Sequence, residues 1–332
     1  MSRTARVAVS VAISAVFLGF AVWKVNWHEA GAALAAANYL YLVPMLIVSV
    51  WGLYIRAQRW RVLLRPLGNP SMRTLVAATN IGFMANMVLP LRVGEVIRPV
   101  LLSRREGEPL GGILATIVLE RIFDMFTILS LFGVAAATVT VSDTVRQWGV
   151  GLFTLAIAVG AAVAFIRWRE ALALRLVRWA TQPLPAKIAA SIDQFFCGFI
   201  QALEVLDSPL TFLQVLAWSL YLWLVITSTY LFGLLAFDLD VPPIVGAIAV
   251  MAIIAIAVSA PSAPGYIGAF QLGTTVALAI FHVSESRAIA YSIVLHVTQF
   301  VATVGAGLYS LAREGMTMQQ IEQLSETDGA AA

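Results

Sequence analysis

The chain has 332 residues, 60% of them apolar and only 12% charged, with a mean hydropathy of +0.88. Soluble globular proteins carry about 25% charged residues, so this composition excludes a soluble enzyme, a nucleic-acid-binding domain and a disordered chain. The net charge of +3 sits in basic residues beside apolar runs, and the single cysteine, Cys197, excludes an internal disulfide and a cysteine-built metal cluster.

Apolar runs near or above the roughly 20 residues that cross a bilayer predict full spans over residues 7–23, 39–64, 111–141, 149–166, 210–237 and 288–311. The runs are continuous rather than alternating, which points away from a transmembrane β-barrel. Residues 7–23 follow Arg3 and Arg6 as a signal peptide would. They exceed the usual apolar length of about 15 residues for such a peptide, and more spans follow, so an uncleaved anchor is expected.

Two apolar regions are interrupted. Residues 75–102 are broken over residues 86–95, which contain Pro90 and Gly94, and residues 244–281 are broken by Pro261, Pro264 and Gly265. Proline removes a backbone donor and glycine admits unusual dihedrals, so the helix should stop at both places. Non-helical backbone at membrane depth survives only where protein or a water-filled cavity satisfies it. Each region is therefore expected to be a helical hairpin that dips in and returns, or two short spans.

Between the halves, residues 167–208 are too polar to cross as one run. Ile188, Ile192, Phe195, Phe199, Leu203 and Leu206 recur at helical spacing, and Trp168 and Trp179 alternate with arginines. This pattern predicts amphipathic helices at the cytoplasmic interface. The expected fold is an all-α polytopic membrane protein of about six full transmembrane helices plus two re-entrant hairpins in an inverted-repeat arrangement. The expected organisation is an N-terminal half (residues 1–166), the interfacial linker (167–208), a C-terminal half (209–315) and a flexible tail (316–332).

Charge placement predicts the orientation. Arg3, Arg6, Arg56, Arg59, Arg61, Arg65, Arg73, Arg104, Arg105, Arg167, Arg169, Arg175, Arg178, Lys187 and Arg313 fall on one side, against Lys24, Arg146 and Arg287 on the other. The positive-inside bias then puts both termini in the cytoplasm, with the chain a multi-pass protein of the inner (cytoplasmic) membrane.

Six charges stand in or beside the apolar interior, where each costs at least about 2.5–3.5 kcal/mol. Arg92, Glu95 and Arg98 flank the first break, and Glu120, Arg121 and Asp124 lie inside the span 111–141. At about 1.5 Å per residue from its start, the second group lies roughly 13–20 Å deep. Three positive and three negative charges balance, as a buried cluster requires. Asn80 and Asn86 add polarity to the hairpin's entering arm, and Tyr266 and Gln271 are the nearest polar side chains at the second break. His296, inside the last span, is expected to be a hydrogen-bonded core histidine. The cluster either pins the hairpin to the neighbouring span or receives an anionic group on its arginine forks. No nucleotide-binding P-loop, zinc motif or nucleophile elbow is present. No cofactor or metal is expected.

The run from Asn86 to Arg98, followed by Glu120, Arg121 and Asp124, resembles the pattern N-x-x-L-P-x-R-x-G-E-x-x-R…E-R-x-x-D. That pattern marks the flippase-like membrane domain of lysylphosphatidylglycerol synthases, a family with many stand-alone members. Pro261 to Gln271 resembles its second hallmark, P-x-x-P-G-G-x-G-x-x-E, which adds Pro264, Gly265, Gly268 and Gln271 to the candidate site. Tyr266 stands where the family usually has glycine, and Gln271 stands where it often has glutamate, so that position lacks an ionisable group. The resemblance implies a helical bundle with re-entrant hairpins that moves lipids between leaflets. It further implies a chain without the family's soluble synthase domain, hence not an enzyme.

The resulting expectation is a lipid translocase whose partners are membrane lipids with a phosphate-bearing or aminoacylated headgroup, and not nucleic acid. Arg92, Arg98 and Arg121 would engage the phosphate while Glu95, Glu120 and Asp124 hold those arginines or bind a cationic headgroup. The alternatives are a transporter of a small solute or ion, a membrane enzyme using Asp124 or Glu120 as base, and a noncatalytic partner of a cell-envelope lipid-modifying enzyme.

Overall fold

A computed structural model describes residues 3–136, 143–259 and 263–327. Among these residues every regular element is helical. The N-terminal half comprises α1 (Arg3–Val22), α2 (Trp27–Ala36), α3 (Leu42–Leu63), α4 (Met72–Val88), α5 (Gly94–Glu106), α6 (Leu110–Ala136) and α7 (Asp143–Trp168). Then follow α8 (Glu170–Thr181), α9 (Ala186–Leu203), α10 (Pro209–Ala236), α11 (Pro243–Ala257), α12 (Ala269–Ala279), α13 (Glu285–Glu314) and α14 (Met318–Thr327). Helices satisfy their own backbone polar groups, which an apolar solvent demands. Their starts carry the expected caps: Ser71, Ser208 and Ser284 accept hydrogen bonds from backbone N–H groups opening α4, α10 and α13.

Large apolar side chains cover the outside of the bundle. On α10, Leu213, Leu216, Leu220 and Leu224 recur on one face and are all exposed. In water such a stripe would be a liability; against acyl chains it is the required surface. Among the described residues, four helical segments are long and apolar enough to cross a membrane: Tyr39–Leu63, Ala186–Leu206, Pro209–Ala236 and Glu285–Glu314. The second of these lies in the segment expected at the interface. In the fold α9 packs along α6, with Gly198 against the backbone of Gly112, and its Phe199 and Leu203 are buried. Helix α6 is also long, at 27 residues, and carries Glu120, Arg121 and Asp124 within it. Residues 137–141, the expected end of that span, lie outside the described residues.

Both interrupted regions are helix–break–helix hairpins. In the first, α4 stops at Val88, a short turn spans Pro90–Arg92, and α5 returns beside α4. In the second, α11 and α12 pack as a pair around the turn Pro264–Tyr266; Pro261 and Ser262 lie outside the described residues. The four arms are 17, 13, 15 and 11 residues long. At about 1.5 Å per residue, each is shorter than a hydrocarbon core about 30 Å thick.

Helix α13, 30 residues long, runs beside both hairpins. Its C-terminal Glu314 pairs with Arg73 and Arg105 at the two ends of the first hairpin. At its N-terminal end, Arg287 donates to the carbonyls of Phe237 and Asp238, just before the second hairpin begins. The hairpins therefore enter from opposite ends of α13. Their tips meet: the Gly265 Cα faces the carbonyl of Met87, and the Arg92 guanidinium lies 5.2 Å from the Tyr266 ring centre.

The first hairpin closes because two glycines face each other. A Cβ on Gly94 would overlap the Gly82 carbonyl and the Asn86 side chain. Gly94→Leu should therefore force the arms apart and cost at least about 1–3 kcal/mol, seen as a drop of the thermal midpoint in detergent. Gly305→Ala on α13, where nothing lies within 4 Å of an added Cβ, should leave the midpoint in place.

Candidate functional site

The polar centre starts from spacing. Arg56 and Arg59 are three residues apart on α3, and Glu120 and Asp124 are four apart on α6, so each pair shares a helix face. The fold turns these faces toward one another. Arg59 holds Asp124 through both guanidinium nitrogens, Nη1 to Oδ1 at 2.5 Å and Nη2 to Oδ2 at 3.3 Å. Its Nη1 also donates to Ser219 Oγ on α10, and its Nη2 lies 3.8 Å from Glu120. Trp223 Nε1 donates to Asp124 Oδ1 at 2.8 Å.

A second fork lies next to the first. Arg98 on α5 donates to both oxygens of Glu120, at 2.6 and 3.2 Å, with its guanidinium 3.7 Å from the Trp60 ring centre. Trp60 in turn donates to Thr116 on α6. Arg59 and Glu120 are essentially sealed, at 0% and 1% exposure, and Arg98 is at 4%. Isolated charges at this depth would be prohibitive, whereas bidentate pairing offsets desolvation in a fixed geometry.

Against this sealed layer lies a cavity of about 470 Å³, bounded by α3, α4, α6, α10, α11 and α13 and by the two hairpin tips. Its charged lining is Arg56, Arg92, Glu95, Arg121 and Asp124, with Asn86, Tyr266, His296 and Gln299 among the neutral polar groups. Much of the remaining wall is apolar, including Phe83, Met125, Ile128, Trp223 and Phe270. Arg121 pairs with Asp124 at 3.4 Å, and nearly half of its side chain is exposed.

Arg56 has a different environment. Its guanidinium stands 4.6 Å from the Phe83 ring centre and 5.9 Å from that of Trp223. Among the described residues no carboxylate comes within 4.0 Å of it, nor does any arginine or lysine come that close to the carboxylate of Glu95. Glu95 sits in the first turn of α5, where the helix dipole favours a negative charge.

The sequence-predicted charges, with Asn86, therefore separate into two sets. Asn86, Arg92, Glu95, Arg121 and Asp124 reach the cavity. Arg98 and Glu120 stand behind its wall, occupied with each other. Pro264 and Gly265 form the second tip, whose backbone turns at Gly265 (φ 70°) and Gly268 (φ 87°). Gln271 is buried beneath that tip, hydrogen-bonded to His296. Asn80 donates to Ser310 on α13 instead of facing the cavity.

Arg56 and Arg59 require a correction. Sequence reasoning places them among the topology charges at the end of their span, but the fold sets both inside the bundle: Arg59 is buried against Asp124, and Arg56 is half-buried at the cavity. The expected neutrality of the cluster changes with them. Five arginines (Arg56, Arg59, Arg92, Arg98, Arg121) face three carboxylates (Glu95, Glu120, Asp124), leaving a formal excess of two positive charges. The available signal was their three-residue spacing inside a continuous apolar run.

Residues 7–307 match the family described as the lysylphosphatidylglycerol synthase TM region. The chain belongs to this family. It is also 25% identical over 344 aligned positions to Glycosyltransferase AglD of Haloferax volcanii, covering 94% of this chain and 55% of that protein. The chain thus spans about half the length of the curated relative it matches. It is a multi-pass helical membrane protein. Among the described residues no group of three histidine, cysteine or acidic side chains is placed to hold a metal ion.

Removing one member of a buried pair strands the other, at a cost of about 3–5 kcal/mol. Arg59→Leu and Asp124→Leu should each lower the unfolding midpoint strongly in detergent. The double variant should lose less than the sum, because the second substitution removes the stranded charge. Additive losses would refute the pairing.

Proposed function

We propose that the protein moves lipids between the leaflets of the cytoplasmic membrane, with a phosphate-bearing headgroup resting in the cavity and the acyl or isoprenoid chains remaining in lipid. The observation that carries this reading is Arg56: a guanidinium facing the cavity, flanked by aromatic rings and, among the described residues, with no carboxylate within 4.0 Å. A planar fork of donors in low dielectric suits a phosphate. Arg121, already held by Asp124, stands ready as a second contact, and Arg92 lines the same space from the first tip. Arg98 and Glu120 serve as scaffold, keeping α5 against α6 so that Glu95 and Arg92 face the cavity.

In this reading the first hairpin enters from the cytoplasmic face, both termini are cytoplasmic, and the halves work as an inverted repeat. Entry of the hairpins from opposite ends of α13 supports it. Exchange of access would come from movement of one hairpin relative to the other, around charges that stay in place. The chain itself performs no covalent chemistry. A second reading, a noncatalytic membrane partner of an enzyme acting on lipids or glycans, is favoured by the name of the longer relative.

Reconstitution into vesicles carrying fluorescent-headgroup phospholipids, with a membrane-impermeant quencher outside, separates the readings. Arg56→Gln and Arg121→Gln, folded as judged by their elution profile, should slow lipid exchange by about tenfold or more. Unchanged exchange in both variants overturns the assignment. Flux of a water-soluble anion without lipid exchange would establish a solute transporter instead.

A further inference from the structure

Outside the arginine–carboxylate cluster, the most constrained polar side chain is His296 on α13. Its Nε2 lies 2.6 Å from the Gly265 carbonyl oxygen, and its Nδ1 lies 3.0 Å from Gln271 Nε2. A carbonyl only accepts, so Nε2 must carry the hydrogen. The orientation of Gln271 is settled separately: its Oε1 accepts from the Gly268 N–H at 2.8 Å, which turns the amide NH₂ toward the ring. An amide NH₂ only donates, so Nδ1 must present a lone pair. The two demands are met together only by the neutral ring protonated at Nε2. Phe270 stacks on that ring at 4.5 Å.

These bonds hold a strained segment. Gly265, Tyr266 and Gly268 have φ values of 70°, 59° and 87°. The left-handed region crowds the Cβ of any residue but glycine, so Tyr266 needs its surroundings to keep it there. Opposite Tyr266 stands Arg92, itself at φ 53°, with its guanidinium over the tyrosine ring. The two hairpin tips therefore touch through a pair of residues that both occupy unfavourable backbone conformations.

We propose that His296 and Gln271 are a positioning pair that fixes the second hairpin tip, presses Tyr266 against Arg92 and so closes the cavity at the tip-to-tip contact. The hold requires the neutral Nε2–H ring. The gating role rests on the reading of the cavity as a headgroup site. Arg56, Arg92, Glu95, Arg121, Asp124 and Tyr230 share the cavity with the ring, but among the described residues its hydrogen bonds are the two to Gly265 and Gln271. Glutamine at position 271 is what keeps the ring neutral. A carboxylate there would accept from Gly268 equally well, yet it would also call for a hydrogen on Nδ1 and convert the ring into a cation bonded at both ends.

The test uses the full-length protein in bilayers, with ¹⁵N-labelled histidine. The chain has three histidines, His28, His282 and His296, so His28→Gln and His282→Gln assign the third. At neutral pH the His296 signals should show a protonated Nε2 and a bare Nδ1, and Gln271→Glu should show both nitrogens protonated. A ring protonated at Nδ1 in the unaltered protein overturns the proposal. Spin labels at positions 88 and 267, in a Cys197→Ser background, report the separation of the tips. His296→Leu should broaden that distance distribution about twofold, while His296→Gln, which keeps a donor for the Gly265 carbonyl, should restore much of the narrow one. A distribution in His296→Leu as narrow as in the parent also overturns it. Neither readout involves lipid movement, so loss of the translocase reading would leave both results interpretable.

Discussion

The bidentate ion pair between Arg59 and Asp124 is the contact on which the rest of the molecule depends. It joins α3 to α6 and, through Ser219 and Trp223, fastens both to α10. Glu120 lies against the same guanidinium and hands the network on to Arg98 and hence to the first hairpin. In an apolar solvent helices gain little from burying greasy faces, since lipid is as apolar as leucine. Charge pairing with strict geometry is therefore an effective way to specify which helix meets which.

That network also explains why a cavity can exist at all. Its inner layer pairs charge with charge and is sealed, so it forms a wall; its outer layer lines the cavity. Asp124 belongs to both, holding Arg59 on one side and Arg121 on the other. The excess of arginine over carboxylate is tolerable because the surplus faces space rather than packed hydrocarbon. A cavity with apolar walls and a cationic floor suits a molecule with an anionic head and an oily remainder, which is the physical basis for reading this family member as a lipid carrier.

The two broken hairpins contribute what a continuous helix could not. A helix end at membrane depth exposes unpaired backbone groups, and here the two ends are brought to one place, where side chains and the opposite tip can serve them. The His296 ring supplies a donor to the second tip and Gln271 supplies both an acceptor and a donor. The left-handed residues at the contact, Arg92 and Tyr266, show that the tips are shaped by one another rather than by local preference.

Composition, apolar run length and the positions of Pro90, Gly94, Pro264 and Gly265 determine the all-helical membrane class and both hairpins, because helix breaking is a local event. The i, i+4 relation of Glu120 and Asp124 likewise follows from helical periodicity alone. What tertiary structure decided is which charges are spent on each other. Arg98 looks as available as Arg92 along the chain, and Arg56 looks like an ordinary flanking arginine. Only the crossing of α3, α5 and α6 buries one guanidinium against Glu120 and turns the other toward open space. Local spacing cannot report this: an ion pair here is a contact between residues 22 or 65 positions apart, and its partner is chosen by packing.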